Sequence, residues 1–185
     1  LQPPSGPIEN SQFGAAVDVD GHLGNDVRVI VGAPGNSSAF VYVRKLVQGT
    51  MQWANETVFT AAGVNLAEYE FGQRNAVAMH GDYAVVGAPG YEAVFVYERN
   101  ATSGTWSSAT QFRSTDYDYD RILGVQKLHR PRFGCSVDIS WRTIVVGAER
   151  AEYGNMGTTQ SGSGAVSVET FDTNGDSPDY FGRGK

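Results

Sequence analysis

The sequence predicts an all-β chain assembled from repeated four-stranded antiparallel units, and three observations carry that prediction. The apolar residues stand in short β-branched or aromatic clusters, such as Val27-Arg28-Val29-Ile30-Val31 and Phe40-Val41-Tyr42-Val43. Glycine supplies 23 of the 185 residues, about 12% against a usual ~7%. No longer stretch places apolar residues at i, i+3, i+4 and i+7, and the best helical candidate, residues 64–69, is a short one.

The elements follow from an internal repeat. Phe13-Gly14, Phe71-Gly72 and Phe133-Gly134 open three similar segments. Each segment continues into a run that ends in Gly-Ala: Val29-Ile30-Val31-Gly32-Ala33-Pro34, Ala84-Val85-Val86-Gly87-Ala88-Pro89 and Ile144-Val145-Val146-Gly147-Ala148-Glu149. An alternating run comes next, at residues 39–43, 93–97 and 165–168. The first two units then carry a Trp followed by a Phe, Trp53 with Phe59 and Trp106 with Phe112, whereas the third has no such Trp. Each unit therefore reads as four strands. The first follows Phe-Gly, the second ends at Gly-Ala, the third is the Phe-Val-Tyr run, and the fourth holds Trp and Phe, with Gly and Pro supplying the turns. Repeated four-stranded antiparallel sheets are the blades of a β-propeller. The predicted organisation is an extended N-terminal linker over 1–11, blades over 12–66, 67–130 and 131–180, and the start of a fourth repeat over 181–185. The recurring glycines mark places where only a residue without Cβ lets backbones approach.

The Phe-Gly … Val-Gly-Ala-Pro pattern resembles the FG-GAP repeat of integrin α-chain propellers. It is similar in particular to the plain FG-GAP repeats of bacterial and protist surface proteins, which residues 81–97 and Trp106 match well. The resemblance covers nearly all of residues 12–184. It departs at Glu149, where Pro is expected, at the Gln73-Arg74-Asn75 insertion, and at the missing third Trp, which puts the fourth strand of the third blade in question. It implies an extracellular or cell-surface module. Three units cannot close a ring, since at least about four blades are usual. The chain is therefore expected to be an excerpt of a longer propeller or to have its edges completed by other chains, including copies of itself. It starts at Leu1 with neither Met nor a charged-then-apolar leader, which reads as processing or as a piece of something longer.

Composition narrows the function. A net charge of -6 gives no basic surface to neutralise phosphates, which argues against nucleic-acid reading. No apolar run approaches the roughly 18 residues of a membrane span. No Gly-x-Ser-x-Gly elbow, phosphate loop or Cys/His pair is present, so no catalytic residue is assigned. Cys135 is the single cysteine, expected as a buried small apolar residue. His22, His80 and His129 stand in separate units without metal-ligand spacing.

Two chemical signals remain. Three glycosylation sequons occur, at Asn36, Asn55 and Asn100, with Asn36 and Asn100 in expected turns and all three expected at the surface. Asp18, Asp20 and Asp26 sit at positions one, three and nine of a lengthened loop, a spacing of carboxylates suited to a hard cation. Integrin-like FG-GAP loops bind calcium at this location, which makes Ca2+ the implied cofactor; His22 departs from that pattern, and a longer hairpin with solvated carboxylates is the alternative. A second acidic loop at 172–179 and the alternating Asp116, Asp118 and Asp120 are weaker cation candidates. The function expected is a non-catalytic extracellular glycoprotein scaffold, structural or adhesive, with other protein chains, copies of itself or glycans as partners. The alternative is an accessory propeller of a larger secreted enzyme, such as a polysaccharide lyase or a lipase.

Overall fold

The computed structural model of the chain describes residues 1–21, 27–60, 69–114, 131–151 and 164–170. Among these residues, eleven strands form three antiparallel sheets. Sheet 1 runs in the order β1 (Ala16–Asp20), β2 (Arg28–Ala33), β3 (Ser38–Val47), β4 (Thr50–Thr60). Sheet 2 repeats that order with β5 (Val77–His80), β6 (Tyr83–Ala88), β7 (Ala93–Glu98) and β8 (Thr110–Arg113). Sheet 3 holds β9 (Phe133–Ser140), β10 (Thr143–Ala148) and β11 (Ala165–Thr170), with β10 between the other two. The described helix is limited to short 3-10 turns such as Pro34–Asn36 and Pro89–Tyr91. The chain is all-β.

The sheets stack face to face with sheet 2 in the middle. Ile30, Val41 and Phe59 of sheet 1 pack against Val77, Val86 and Phe95 of sheet 2 in one core. On the opposite face, Val85 and Val94 meet Ile139, Ile144 and Val146 of sheet 3 in a second core. Because sheet 2 is covered on both sides, residues 84–88 and 93–97 are buried throughout, and their near-continuous apolar sequence follows from that. Side chains alternate between the two cores as strand geometry requires.

What joins one sheet to the next is a Phe-Gly turn. In all three units the residue before Phe and the Gly after it take positive φ: Gln12 and Gly14, Glu70 and Gly72, Arg132 and Gly134. The same i to i+3 hydrogen bond closes each turn, from Ala15, Gln73 and Cys135 to the carbonyls of Gln12, Glu70 and Arg132. Gly14 N–H donates to Gly32 O (3.0 Å), and Gly72 N–H to Gly87 O (2.9 Å), which fixes each turn to its own second strand. The turn also presses on the sheet before it. A Cβ on Gly32 would overlap the carbonyl of Gly72, and a Cβ on Gly87 would overlap that of Gly134. The Phe rings enter in matching geometry: Phe13 meets Phe40 edge-on at 5.5 Å and 66°, and Phe71 meets Phe95 at 5.4 Å and 65°.

Three features differ from the sequence reading. Phe71 and Phe133 are fully buried, but Phe13 is only half-buried, because no described sheet precedes sheet 1 to cover it. Residues 1–11 do not extend away as a tether: Tyr42 Oη donates to Gln2 O (2.6 Å), Gly35 N–H donates to Ser11 O (3.1 Å), and Pro3 is buried. They lie on the outer face of sheet 1, where Phe40 and Tyr42 would otherwise be bare. Finally, the fourth strand of unit two is interrupted. Trp106 pairs with Arg99 as an isolated bridge, and the strand resumes only at β8. Ser107 explains the break, since its Oγ accepts the Glu98 N–H (3.0 Å) where a ladder carbonyl would stand. The proposed fourth repeat at 181–185 and the helical candidate up to residue 68 lie outside the described residues.

The glycine contacts give the first prediction. Gly32→Ala and Gly87→Ala should each cost about 3 kcal/mol or more in urea unfolding, because backbone on both sides resists relaxation. Gly49→Asn, in the open β3–β4 turn at φ 78° with nothing near its Cβ position, should change the midpoint little.

Candidate functional site

The carboxylates at the proposed cation site have a structural task. Asp18 and Asp20 alternate along β1, so both face sheet 2. Asp18 Oδ2 accepts the Met79 N–H and Asp20 Oδ2 accepts the Gly81 N–H, each at 2.7 Å. They clamp the first strands of neighbouring sheets together, since charged acceptors make the stronger hydrogen bonds. Asp26, His22, His129 and the acidic residues 116–120 and 172–179 lie outside the described residues. Among the described residues no group of three or more His, Cys, Asp or Glu is placed to hold a metal ion. His80 packs against the ring of Trp141 at 5.6 Å. Cys135 is a free thiol, half-buried rather than the enclosed residue expected from its place after Phe133-Gly134.

All three sequon asparagines are exposed. Asn36 ends the 3-10 turn between β2 and β3, and its Nδ2 donates to the sequon hydroxyl Ser38 Oγ (3.4 Å). Asn100 opens the turn to Gly104, its Oδ1 accepting from the N–H groups of Thr102 and Ser103 at 2.9 Å each. Asn55 stands within β4 opposite Tyr42, on the side away from sheet 2.

The residue after Asn55 is the one sequence reasoning missed. The β3–β4 register shifts between Val41 and Tyr42, which pair with Thr57 and Asn55, so Glu56 is the extra residue of a β-bulge. A bulge re-aims a side chain, and here it turns Glu56 toward sheet 2. Its carboxylate meets Arg28 of its own sheet (3.1 Å) and Arg99 of sheet 2 (3.2 Å), and accepts Trp106 Nε1–H (3.3 Å). Asp82 adds a second partner for Arg99 at 3.2 Å. The Glu56, Arg28 and Arg99 side chains are only 8%, 11% and 14% exposed, so the triad is largely withdrawn from water. A lone Glu between Trp53 and Phe59 was the available signal; its partners lie far along the chain.

Beside this triad the aromatic residues of the two units meet. Phe59 stacks on Tyr97 with centroids 3.8 Å apart and 13° between planes, and Trp106 meets Phe59 edge-on at 5.1 Å. The Tyr97 hydroxyl is buried without a hydrogen-bond partner, and burial pushes its pKa well above the ordinary tyrosine value. The site thus couples a charge cluster in which Glu56 and Asp82 balance Arg28 and Arg99, an oriented indole and an unsatisfied phenol along one seam between sheets 1 and 2.

A scan against protein-family models and a search of curated proteins each gave no match to this chain. No helix among the described residues is long and apolar enough to cross a membrane.

Two predictions follow from the seam. Glu56→Ala should destabilise the fold by about 3 kcal/mol, the cost of leaving the withdrawn Arg28 without its carboxylate while Arg99 keeps Asp82, and thermal or urea unfolding measures it. The Tyr97 phenol sets a pH dependence. Its folded pKa lies above the unfolded value of about 10, so its contribution is complete below pH 10 and is lost as pH rises beyond that. Urea midpoints of the parent chain should therefore fall between pH 9 and 11 by more than those of Tyr97→Phe.

Proposed function

We propose that the three sheets are blades of an FG-GAP-type β-propeller and that the chain is a non-catalytic, extracellular glycoprotein scaffold that assembles with further copies of itself. The observation that carries this reading is the pair of apolar faces at the ends of the stack. On sheet 1, Val17 and Val19 are 66% and 63% exposed; on sheet 3, Val166 and Val168 are 68% and 61% exposed, with Val145 beside them. The same positions on sheet 2 are buried by its neighbours, so the sheet 3 face has the form that another such sheet covers. On sheet 1, residues 1–11 already lie over Phe40 and Tyr42 and leave the β1 valines bare. The two faces are different surfaces, and a contact between them is head-to-tail; it closes a ring or propagates as a filament.

Other features support the blade assignment. The repeated Phe-Gly turns, the matched Phe ring geometry and the Asp18 and Asp20 clamps draw the first strands of successive sheets together, while Phe59, Tyr97 and Trp106 meet between their outer strands. Small residues inside and large ones outside suit the fanned blades of a propeller. The exposed sequons suit a surface glycoprotein. Calcium belongs to this reading as an aid to the first loop, where Asp18 and Asp20 each have a second carboxylate oxygen to offer.

The test is the assembly state of the secreted chain by light scattering and electron microscopy, with calcium and with a chelator. Species larger than the 19.9 kDa polypeptide are expected, carrying glycan mass on Asn36, Asn55 and Asn100. Val166→Lys with Val168→Glu should break them to monomers that keep the parent circular dichroism. A stable monomer at high concentration, unaffected by the double substitution, contradicts the assembly reading; indifference to the chelator removes calcium from it.

A further inference from the structure

We infer that the groove between the outer strands of sheets 1 and 2 is a binding site for a neutral pyranose, such as the terminal sugar of a glycan. The groove runs from β4 to the segment joining Trp106 to β8 and encloses about 380 Å³. That volume lies at the lower end of the range for small-molecule sites, about 300–1,000 Å³, which suits one ring or two rather than a folded peptide.

Its lining sets the chemistry. Trp106, half-buried, presents aromatic carbon above the buried Phe59–Tyr97 stack, and Thr57, Ser108 and Gln111 present hydroxyl and amide groups. None of the lining side chains carries a charge at neutral pH, and the neighbouring Arg28 and Arg99 are already balanced by Glu56 and Asp82. A phosphate, carboxylate or ammonium ligand would find no counter-charge here. A ligand with one apolar face and a rim of hydroxyls matches the lining on both counts, and a pyranose has that form.

Two further features bear on the site. The Glu56 carboxylate holds the Trp106 indole through Nε1, so the ring is set in place before a ligand arrives. Tyr97 is among the lining residues, and its hydroxyl is buried without a hydrogen-bond partner. An unmade bond of a buried hydroxyl is costly. This inference does not depend on self-assembly, since the groove lies between two sheets of one chain.

The experiment is calorimetry and saturation-transfer NMR on the folded chain, with methyl glycosides of glucose, galactose, mannose, fucose and N-acetylglucosamine as probes. Saturable binding of at least one glycoside is expected. Gln111→Ala, at an exposed position, should weaken it about tenfold, the loss of a well-made hydrogen bond. Trp106→Phe keeps an aromatic ring and should retain binding in part, while Trp106→Ala should abolish it; circular dichroism checks that each variant is folded. No saturable signal from any of the five glycosides at about 20 mM, a binding free energy of only about −2.3 kcal/mol, overturns the proposal. Binding that is unchanged in both Gln111→Ala and Trp106→Ala overturns it equally, because the sugar would then sit elsewhere.

Discussion

Successive sheets in this protein touch backbone to backbone, and the rest of the arrangement depends on that contact. The carbonyl of Gly72 occupies the space where Gly32 would carry a Cβ, and the carbonyl of Gly134 does the same at Gly87. Each of these turn glycines also has positive φ, a conformation in which other residues are strained. The glycine pair therefore meets two demands at once: a sharp turn into the first strand, and contact with the preceding sheet close enough to seat the Phe ring beneath it. With the first strands held this near, alternate side chains of sheet 2 reach both neighbours, and its second and third strands are buried on both faces.

Polar groups reinforce the same joint from side chains. Asp18 and Asp20 accept backbone N–H groups of β5 or of the residue just beyond it. At the second joint, Glu92 accepts the N–H groups of Arg132 and Phe133 at 3.0 and 2.7 Å. Glu92 is itself in the left-handed region at φ 54° and only 2% exposed. A buried carboxylate is tolerated there because the next Phe-Gly turn presents donors to it. Arg132 in turn reaches Glu70 (2.7 Å) and Glu149 (2.8 Å). Glu149, the residue that departs from the Pro of the repeat, thus has an ionic role at the second joint. The outer seam is held differently, by the Glu56 triad and the stacked aromatics, and the groove lies along it.

The strand order within each sheet could be read from the repeat, because each marker has a local cause. Phe-Gly needs a left-handed turn, Gly-Ala ends a run of β-branched residues, and the Phe-Val-Tyr run alternates, so periodicity alone orders β1 to β3, β5 to β7 and β9 to β11. The outer strands were less legible. Trp106 carries the same sequence signal as Trp53, yet it lies in an isolated bridge because Ser107 takes over a ladder hydrogen bond. The candidate seam was hardly legible at all. Glu56 looked like the middle residue of a sequon, and only its bulged register against Val41 and Tyr42 turns it toward arginines 28 residues before it and 43 after it.

By itself, then, the sequence determined the elements whose signals are local: an all-β chain, three repeated units, turns at the glycines, and exposed asparagines in polar segments. Long-range contact decided the rest. Whether Asp18 and Asp20 meet a loop cation or the backbone of the next sheet depends on where β5 lies, and no spacing within 18–26 encodes that position. The same holds for residues 1–11, whose Pro and Gly content reads as a tether but which find an uncovered apolar face formed by Phe40 and Tyr42. Periodicity reports which side of a strand is apolar; what covers that side is set by how the sheets stack, and side-chain chemistry follows from the neighbour that stacking supplies.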